Sequence, residues 1–136
     1  MIQLKGIAAA PGISIGTAYK VGKEEFTILK DAIREDEIPL QIQIFEEALI
    51  KTRREIIDIQ KKIGGEMGQE EAQIFDAHLL VLEDRMLIEE VISRLKRERL
   101  SVSYIFSEVL KKYIEVFSKI EDAYIKERIA DINDVG

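Results

Sequence analysis

His78 is the only histidine in this sequence, so any phosphorelay, general-base or metal chemistry that needs an imidazole must use it. It stands on a stripe formed by Ile74, Phe75, His78, Leu79 and Leu82, which recur at spacings of three and four. A lone histidine on such a core-facing stripe reads as a packed structural residue rather than a catalyst. Asp76, His78, Glu83 and Asp84 lack the paired spacing that puts metal ligands on one helical face, and with no cysteine there is no thiolate site. The acidic pairs Glu70-Glu71, Glu83-Asp84 and Glu89-Glu90 read as solvated helix faces rather than a general acid and base. The glycines between Gly6 and Gly16 match neither a dinucleotide fingerprint nor a P-loop, and no helix follows them directly. No serine lies in a nucleophile elbow or pairs with a lysine at a catalytic spacing.

Binding chemistry is better supplied. Gln73, Ala77, Leu80, Val81 and Asp84 fall at helical spacings on a face next to the first stripe, with Glu70 and Asp84 at its two ends. A small domain has little use for two apolar faces on one helix unless something docks on one of them. Leu80, Val81, Met86 and Leu87 are the expected apolar contacts, and Glu70 and Asp84 the charges that steer a partner with an apolar centre and a basic rim. The residues alone leave a second reading open, in which all of these are buried within a bundle or a homodimer.

The elements that position this face follow from periodicity. From about Pro39 the chain is helical to its end. The first helix is expected over Pro39–Ile63, with core residues Phe45, Ala48, Leu49, Thr52, Ile56, Ile59 and Ile63, and Gly64 and Gly65 ending it. The second runs over Gln69–Leu82 and kinks at Glu83-Asp84, where Asp84 caps a helix over Arg85–Arg99 with Leu87, Ile88, Val91, Ile92 and Leu95 inward. Ser101 should cap the next, which carries Ile105, Val109, Tyr113 and Phe117 in register. Glu121-Asp122 opens the last, with Ile125, Ile129 and Ile132 repeating. Upstream, Gln3–Gly16 reads as strand, turn, strand with the turn at Pro11-Gly12, and Thr17–Val21 and Glu25–Leu29 as short strands, too few for a stable sheet by themselves. The pattern still runs at Asp134-Val135-Gly136, as in a truncated piece of a longer protein. The fold class expected is mainly α: an antiparallel four-to-five-helix bundle with a kinked second helix, plus a few N-terminal β-strands.

Composition bounds the partners. The 136 residues suit one domain with a short appendage, and 46% hydrophobic with 34% charged residues fits a soluble globular protein. No apolar run is long enough to span a bilayer, and no secretory signal opens the chain, so the cytoplasm is the expected compartment. A formal charge of −6 disfavours nucleic acid and suits a basic protein partner.

Three segments in order resemble enzyme I of the bacterial phosphoenolpyruvate-dependent sugar phosphotransferase system. GIAAAPGISIG (Gly6–Gly16) is similar to the family's opening signature, with Ala10 where serine is usual. EEAQIFDAHLLVLED (Glu70–Asp84) resembles its helix-kink-helix segment, and DAYIKERIADINDVG (Asp122–Gly136) the final helix of its partner-binding subdomain. The resemblance covers the whole chain. It implies that residues 1–35 are strands of an incomplete α/β phosphohistidine domain, and that 36–136 are the helical subdomain on which the phosphocarrier protein HPr docks.

In that family a phosphoryl group passes from phosphoenolpyruvate to an enzyme histidine and then to HPr. The phosphorylated histidine and the Mg2+-dependent barrel are absent from this stretch, so the chain alone is expected to be inactive, without a cofactor and monomeric. The parent is expected to be a homodimer through its C-terminal domain. The resemblance carries the docking role onto Gln69, Glu70, Gln73, Leu80, Val81, Asp84, Met86, Leu87, Phe117, Ile125 and Arg128, and leaves His78 a structural neighbour of that surface. Gln69 and Met86 stand where acidic residues are common. HPr binding is expected to be fast, moderate in affinity and salt-sensitive. A nitrogen-regulatory relative and an unrelated helical dimerisation module are the alternatives.

Overall fold

The computed structural model describes residues 5–7, 11–13, 15–17, 19, 27–121 and 123–136, and of residues 71, 123–125, 127 and 128 the backbone alone. After a 3-10 turn over Glu35–Glu37, the helices are α1 (Ile38–Glu66), α2 (Gln69–Ala72), α3 (Ile74–Leu82), α4 (Arg85–Glu98), α5 (Val102–Ser118) and α6 (Ala123–Val135). Short connections force successive long helices to turn back on one another. The fold is thus mainly helical, with a bent second helix as expected. Of the expected strand residues, 5–7, 11–13, 15–17, 19 and 27–29 are described and form no strand, and the others lie outside the described residues. Among those described there is one isolated antiparallel bridge, Ala32 to Leu100, in place of a sheet.

That bridge ties the incoming chain to the α4–α5 corner. The Ile33 N–H donates to the Arg99 carbonyl at 2.9 Å and the Ser101 N–H to the Asp31 carbonyl at 2.8 Å. Arg99 turns the corner with φ 52°, a left-handed conformation suited to a helix C-terminus. Ser101 precedes α5 as expected, but its side chain makes no capping bond and donates instead to the Leu29 carbonyl at 3.3 Å. The cap comes from α1: the Val102 N–H donates to Gln41 Oε1 at 2.8 Å, satisfying an amide that the helix geometry leaves without a partner.

α1 differs from its expected extent. It runs straight through Gly64 and Gly65 to Glu66, and at 29 residues is about 43 Å long for a rise of about 1.5 Å per residue. The stop comes at Gly68, whose φ of 130° only glycine adopts without strain. Gly64 lets α2 come close, because a Cβ there would lie 3.2 Å from Gln69 Nε2 and 3.6 Å from the Ala72 Cβ. Gly65 faces open space. Gly65→Ala should therefore stabilise the protein by about 0.5–1 kcal/mol in denaturant unfolding, the helix-propensity gain with no steric cost. A loss of stability would contradict the continuous helix.

The core lies where α4 and α5 meet, with Leu95, Ile105, Val91 and Val109 fully enclosed. Phe45 of α1 and Ile132 of α6 close it from two other sides, and Phe45 leans on Phe106 with ring centroids 5.5 Å apart. α3 packs against α1 and also against α6. A helix with neighbours on two sides needs two apolar faces, and this changes the reading of its surplus hydrophobic residues.

Candidate functional site

The α3–α4 corner owes its shape to Asp84. Its backbone leaves the helical region (φ −66°, ψ 105°), and its Oδ1 accepts from the Leu87 N–H at 2.9 Å. The carboxylate thus satisfies a free amide and sits at the positive end of α4. Leu80 precedes the corner and Met86 follows it, and they are 57% and 75% exposed. Gln69, Glu70 and Gln73 are exposed along α2 and its junction with α3.

Two expected contact residues are not on this surface. Val81 and Leu87, 8% and 3% exposed, belong to the core cluster with Val91 and Leu95. They face the bundle because α3 packs between α1 and α6 and α4 packs on α5 and α1, so neither side chain is open to a docking partner. Ile74 shows the converse. Expected in the core stripe, it opens α3 and is 61% exposed. A break at Gln73, where i→i+3 bonds replace the α ladder (Gln73 N–H to Glu70 O, 3.2 Å; Asp76 N–H to Gln73 O, 3.0 Å), separates α3 from α2. The stripe requires an unbroken helix over Gln69–Leu82, and the tighter turn at Gln73 rotates Ile74 out of it.

Farther along, Phe117 is half-buried and meets Tyr113 edge-on at 6.1 Å. Burial, reinforced by the charges of Asp84 and Glu90, raises the Tyr113 pKa above the usual phenol value. The acidic corner therefore lies near α5. Ile125 and Arg128 belong to α6 by their backbone, but their side chains lie outside the described residues.

The electrostatics of the corner are largely internal. The Arg53 Nε donates to Glu83 Oε1 at 2.8 Å, and the Arg85 Nε to Glu89 Oε1 at 2.7 Å. Lys112 Nζ lies 3.3 Å from Glu90 Oε1. The Arg85–Glu89 pair was readable from its i,i+4 spacing, whereas Arg53 reaches across from α1 and no local pattern marks it. Beside Arg53 an open groove of about 500 Å3 runs between α1 and the corner, over Leu49, Ile50, Leu82 and Ile88.

His78 is buried, as expected of a structural residue, at 8% exposure. Its Nε2 lies 3.6 Å from Asp134 Oδ2 and 3.8 Å from Asp131 Oδ1 across the α3–α6 contact. These distances are too long for hydrogen bonds. Nδ1 is enclosed without a hydrogen-bond partner, and the ring lies 5.6 Å from that of Phe75. The charged groups that the described residues place nearest Nε2 are the carboxylates of Asp131 and Asp134, which would repel an anionic phosphoryl donor. Among the described residues no group of three His, Cys, Asp or Glu side chains forms a cation cage.

The family model described as PEP-utilising enzyme, N-terminal, matches residues 5–128. A phosphoenolpyruvate-protein phosphotransferase of Bacillus subtilis is 34% identical over 99% of this chain and 23% of its own length. One from Mycoplasma capricolum is 38% identical over 98% of this chain and again 23% of its own. The NMR solution structure of Enzyme I (nEIt) superposes with a TM-score of 0.83 at 39% identity, covering 98% of this chain and 54% of that one. The chain thus spans about a quarter, 23%, of the length of these curated relatives.

Proposed function

The chain belongs to the family of PEP-utilising enzymes, N-terminal, and from that premise we propose that it is the HPr-docking part of a phosphoenolpyruvate-protein phosphotransferase of bacterial sugar uptake. In this reading the helices from residue 36 onward form the docking subdomain. Residues 1–35 contribute strands to an α/β domain that carries the phosphorylated histidine elsewhere in the protein. Docking holds the carrier's histidine in front of the enzyme's phosphohistidine, and so turns a collision between two proteins into a step within one complex. The chemistry itself, including the Mg2+ of the phosphoenolpyruvate-using barrel, lies in other parts of the protein; the described residues have no donor set to hold that ion. Parent dimerisation and a cytoplasmic location belong to the same proposal. Among the described residues no helix is long and apolar enough to cross a membrane.

The observation that supports docking most directly is the exposed apolar pair Leu80 and Met86, set on either side of a corner fixed by the Asp84 cap. Rigid placement matters because a docking face that must first be ordered loses affinity to that ordering. His78 has no part in the transfer in this proposal; it fills the space between α3 and α6.

The test is a calorimetric titration of this chain with HPr of the same organism at low ionic strength. Saturable one-to-one binding is expected, in the micromolar range of about 10⁻⁶ M typical of partners that must also leave. Absence of heat and of chemical-shift change, with the helical circular dichroism intact, would remove the docking role.

A further inference from the structure

Resting on the docking reading, we propose that Gln60 of α1 is a positioning residue for HPr docking: it holds the break between α2 and α3 at one angle, and so fixes Gln69 and Glu70 relative to Leu80. The break frees a backbone acceptor. In an unbroken helix the Ala72 carbonyl would accept from the Asp76 amide, but that amide donates to the Gln73 carbonyl at 3.0 Å. A carbonyl released from the ladder needs another donor, and Ala72 is buried. Gln60 supplies that donor. Its Nε2 lies 3.3 Å from the Ala72 carbonyl oxygen and 2.7 Å from Asp76 Oδ1, so one side-chain amide donates to the last residue of α2 and to the first turn of α3. The amide carries two N–H groups, enough for both bonds.

α1 meets the bent run again on either side of this point. α2 lies against Gly64, where a Cβ would come within 3.2 Å of Gln69 Nε2. Beyond α3, Glu83 accepts from Arg53 Nε at 2.8 Å. Gln60 and Arg53 are seven residues apart, and so are Asp76 and Glu83; at about 1.5 Å per residue each pair spans about 10 Å along the chain axis. The matched spacing keeps α1 and α3 in one antiparallel register from the break to the corner. α1 is unbroken from Ile38 to Glu66, and so forms a continuous edge against which the bent run is set. The Arg53 and Glu83 side chains are 51% and 52% exposed, and an ion pair so open adds little. Gln60 is half-buried and bonded to the main chain, and it carries more of the constraint. A break ordered in advance favours docking, because a partner that had to set α2 against α3 would lose affinity to that ordering.

The experiment is the titration of HPr of the same organism into this chain and into Gln60→Ala, Gln60→Glu and Gln60→Lys, at a temperature where circular dichroism shows each protein folded. Gln60→Ala is expected to weaken binding by about fivefold, the net worth of an ordinary hydrogen bond expressed as a binding constant. It should also speed hydrogen exchange at amides 70–76 relative to those of α5. Gln60→Glu keeps the shape but turns a carboxylate on the Ala72 oxygen and on Asp76, and should weaken binding at least as much. Gln60→Lys keeps a donor for both oxygens and should bind within about twofold of the unmodified chain. A residue serving only the stability of the bundle would lower the denaturant midpoint without moving the dissociation constant of the folded protein. An unchanged dissociation constant for Gln60→Ala, or a loss with Gln60→Lys as large as with Gln60→Ala, would overturn the proposal while leaving docking in place. Should Gln60→Ala not fold, Gln60→Glu is held to the same criterion. No binding by the unmodified chain would overturn the docking reading and this one with it.

Discussion

Replacing Ile105 by alanine is expected to lower the unfolding free energy by about 3–5 kcal/mol, the range for deleting a large aliphatic side chain from a core that cannot collapse into the gap. Ile105 is fully enclosed in the first turn of α5, in one cluster with Val91 and Leu95 of α4, Phe45 of α1 and Ile132 of α6. Those residues come from four helices, so no single local shift can fill the space left by the lost carbons. Domains of this size are commonly stable by only about 5–15 kcal/mol, so the variant should unfold at much lower denaturant with an unchanged slope. Leu40→Ala, on a residue 56% exposed at the start of α1, should change stability by no more than about 0.5 kcal/mol. Equal losses from the two substitutions would contradict the placement of the core between α4 and α5.

Leu80→Asp is expected to leave the fold intact and to weaken HPr binding by more than about 30-fold, the effect of losing about 2 kcal/mol at an apolar contact and placing a charge there. Leu80 is 57% exposed, whereas its neighbour Val81 is 8% exposed and packed in the core. The paired variant Val81→Ala should behave in the opposite way, losing stability while its folded fraction still binds. Unfolding curves and titrations on both proteins separate the two roles. If Leu80→Asp binds as well as the parent sequence, Leu80 is not part of the docking face. Sedimentation of the unmodified chain addresses the dimer alternative, since a monomer leaves no second copy to cover Leu80.

The contrast between adjacent residues Leu80 and Val81 shows where periodicity is informative and where it is not. Helical spacing places both on the outer side of a single helix, and an apolar residue on an outer side looks like a contact residue. Yet α3 has α1 against one side and α6 against another, while the backbone turns at Asp84 and α4 packs on α5. The number of neighbours a helix has is a property of the bundle, and no spacing within the helix reports it.

Several features were decided by local chemistry and needed nothing more. The helices from Pro39 onward, the cap at Asp84 and the basic last turn of α4 follow from residue types whose preferences act within one turn. The burial of His78 followed in the same way from its place between Phe75 and Leu82, as did the inward Leu87, Val91 and Leu95 of α4 from their spacing. Three ordered segments also sufficed to identify the family.

Long-range packing decided the rest. Gly64 and Gly65 read as a stop, but α1 continues through them because α2 packs close against Gly64 and Gly68 supplies the turn. The cap of α5 comes from Gln41, sixty-one positions before the amide it accepts from, and Arg53 reaches Glu83 from another helix to neutralise the corner. The sequence by itself therefore determined which segments are helical and which family they belong to, because those depend on interactions a few residues apart. Which apolar side chains remain open to a partner, and which charges remain free to attract one, was decided only when distant helices came together, since burial and ion pairing depend on neighbours in space.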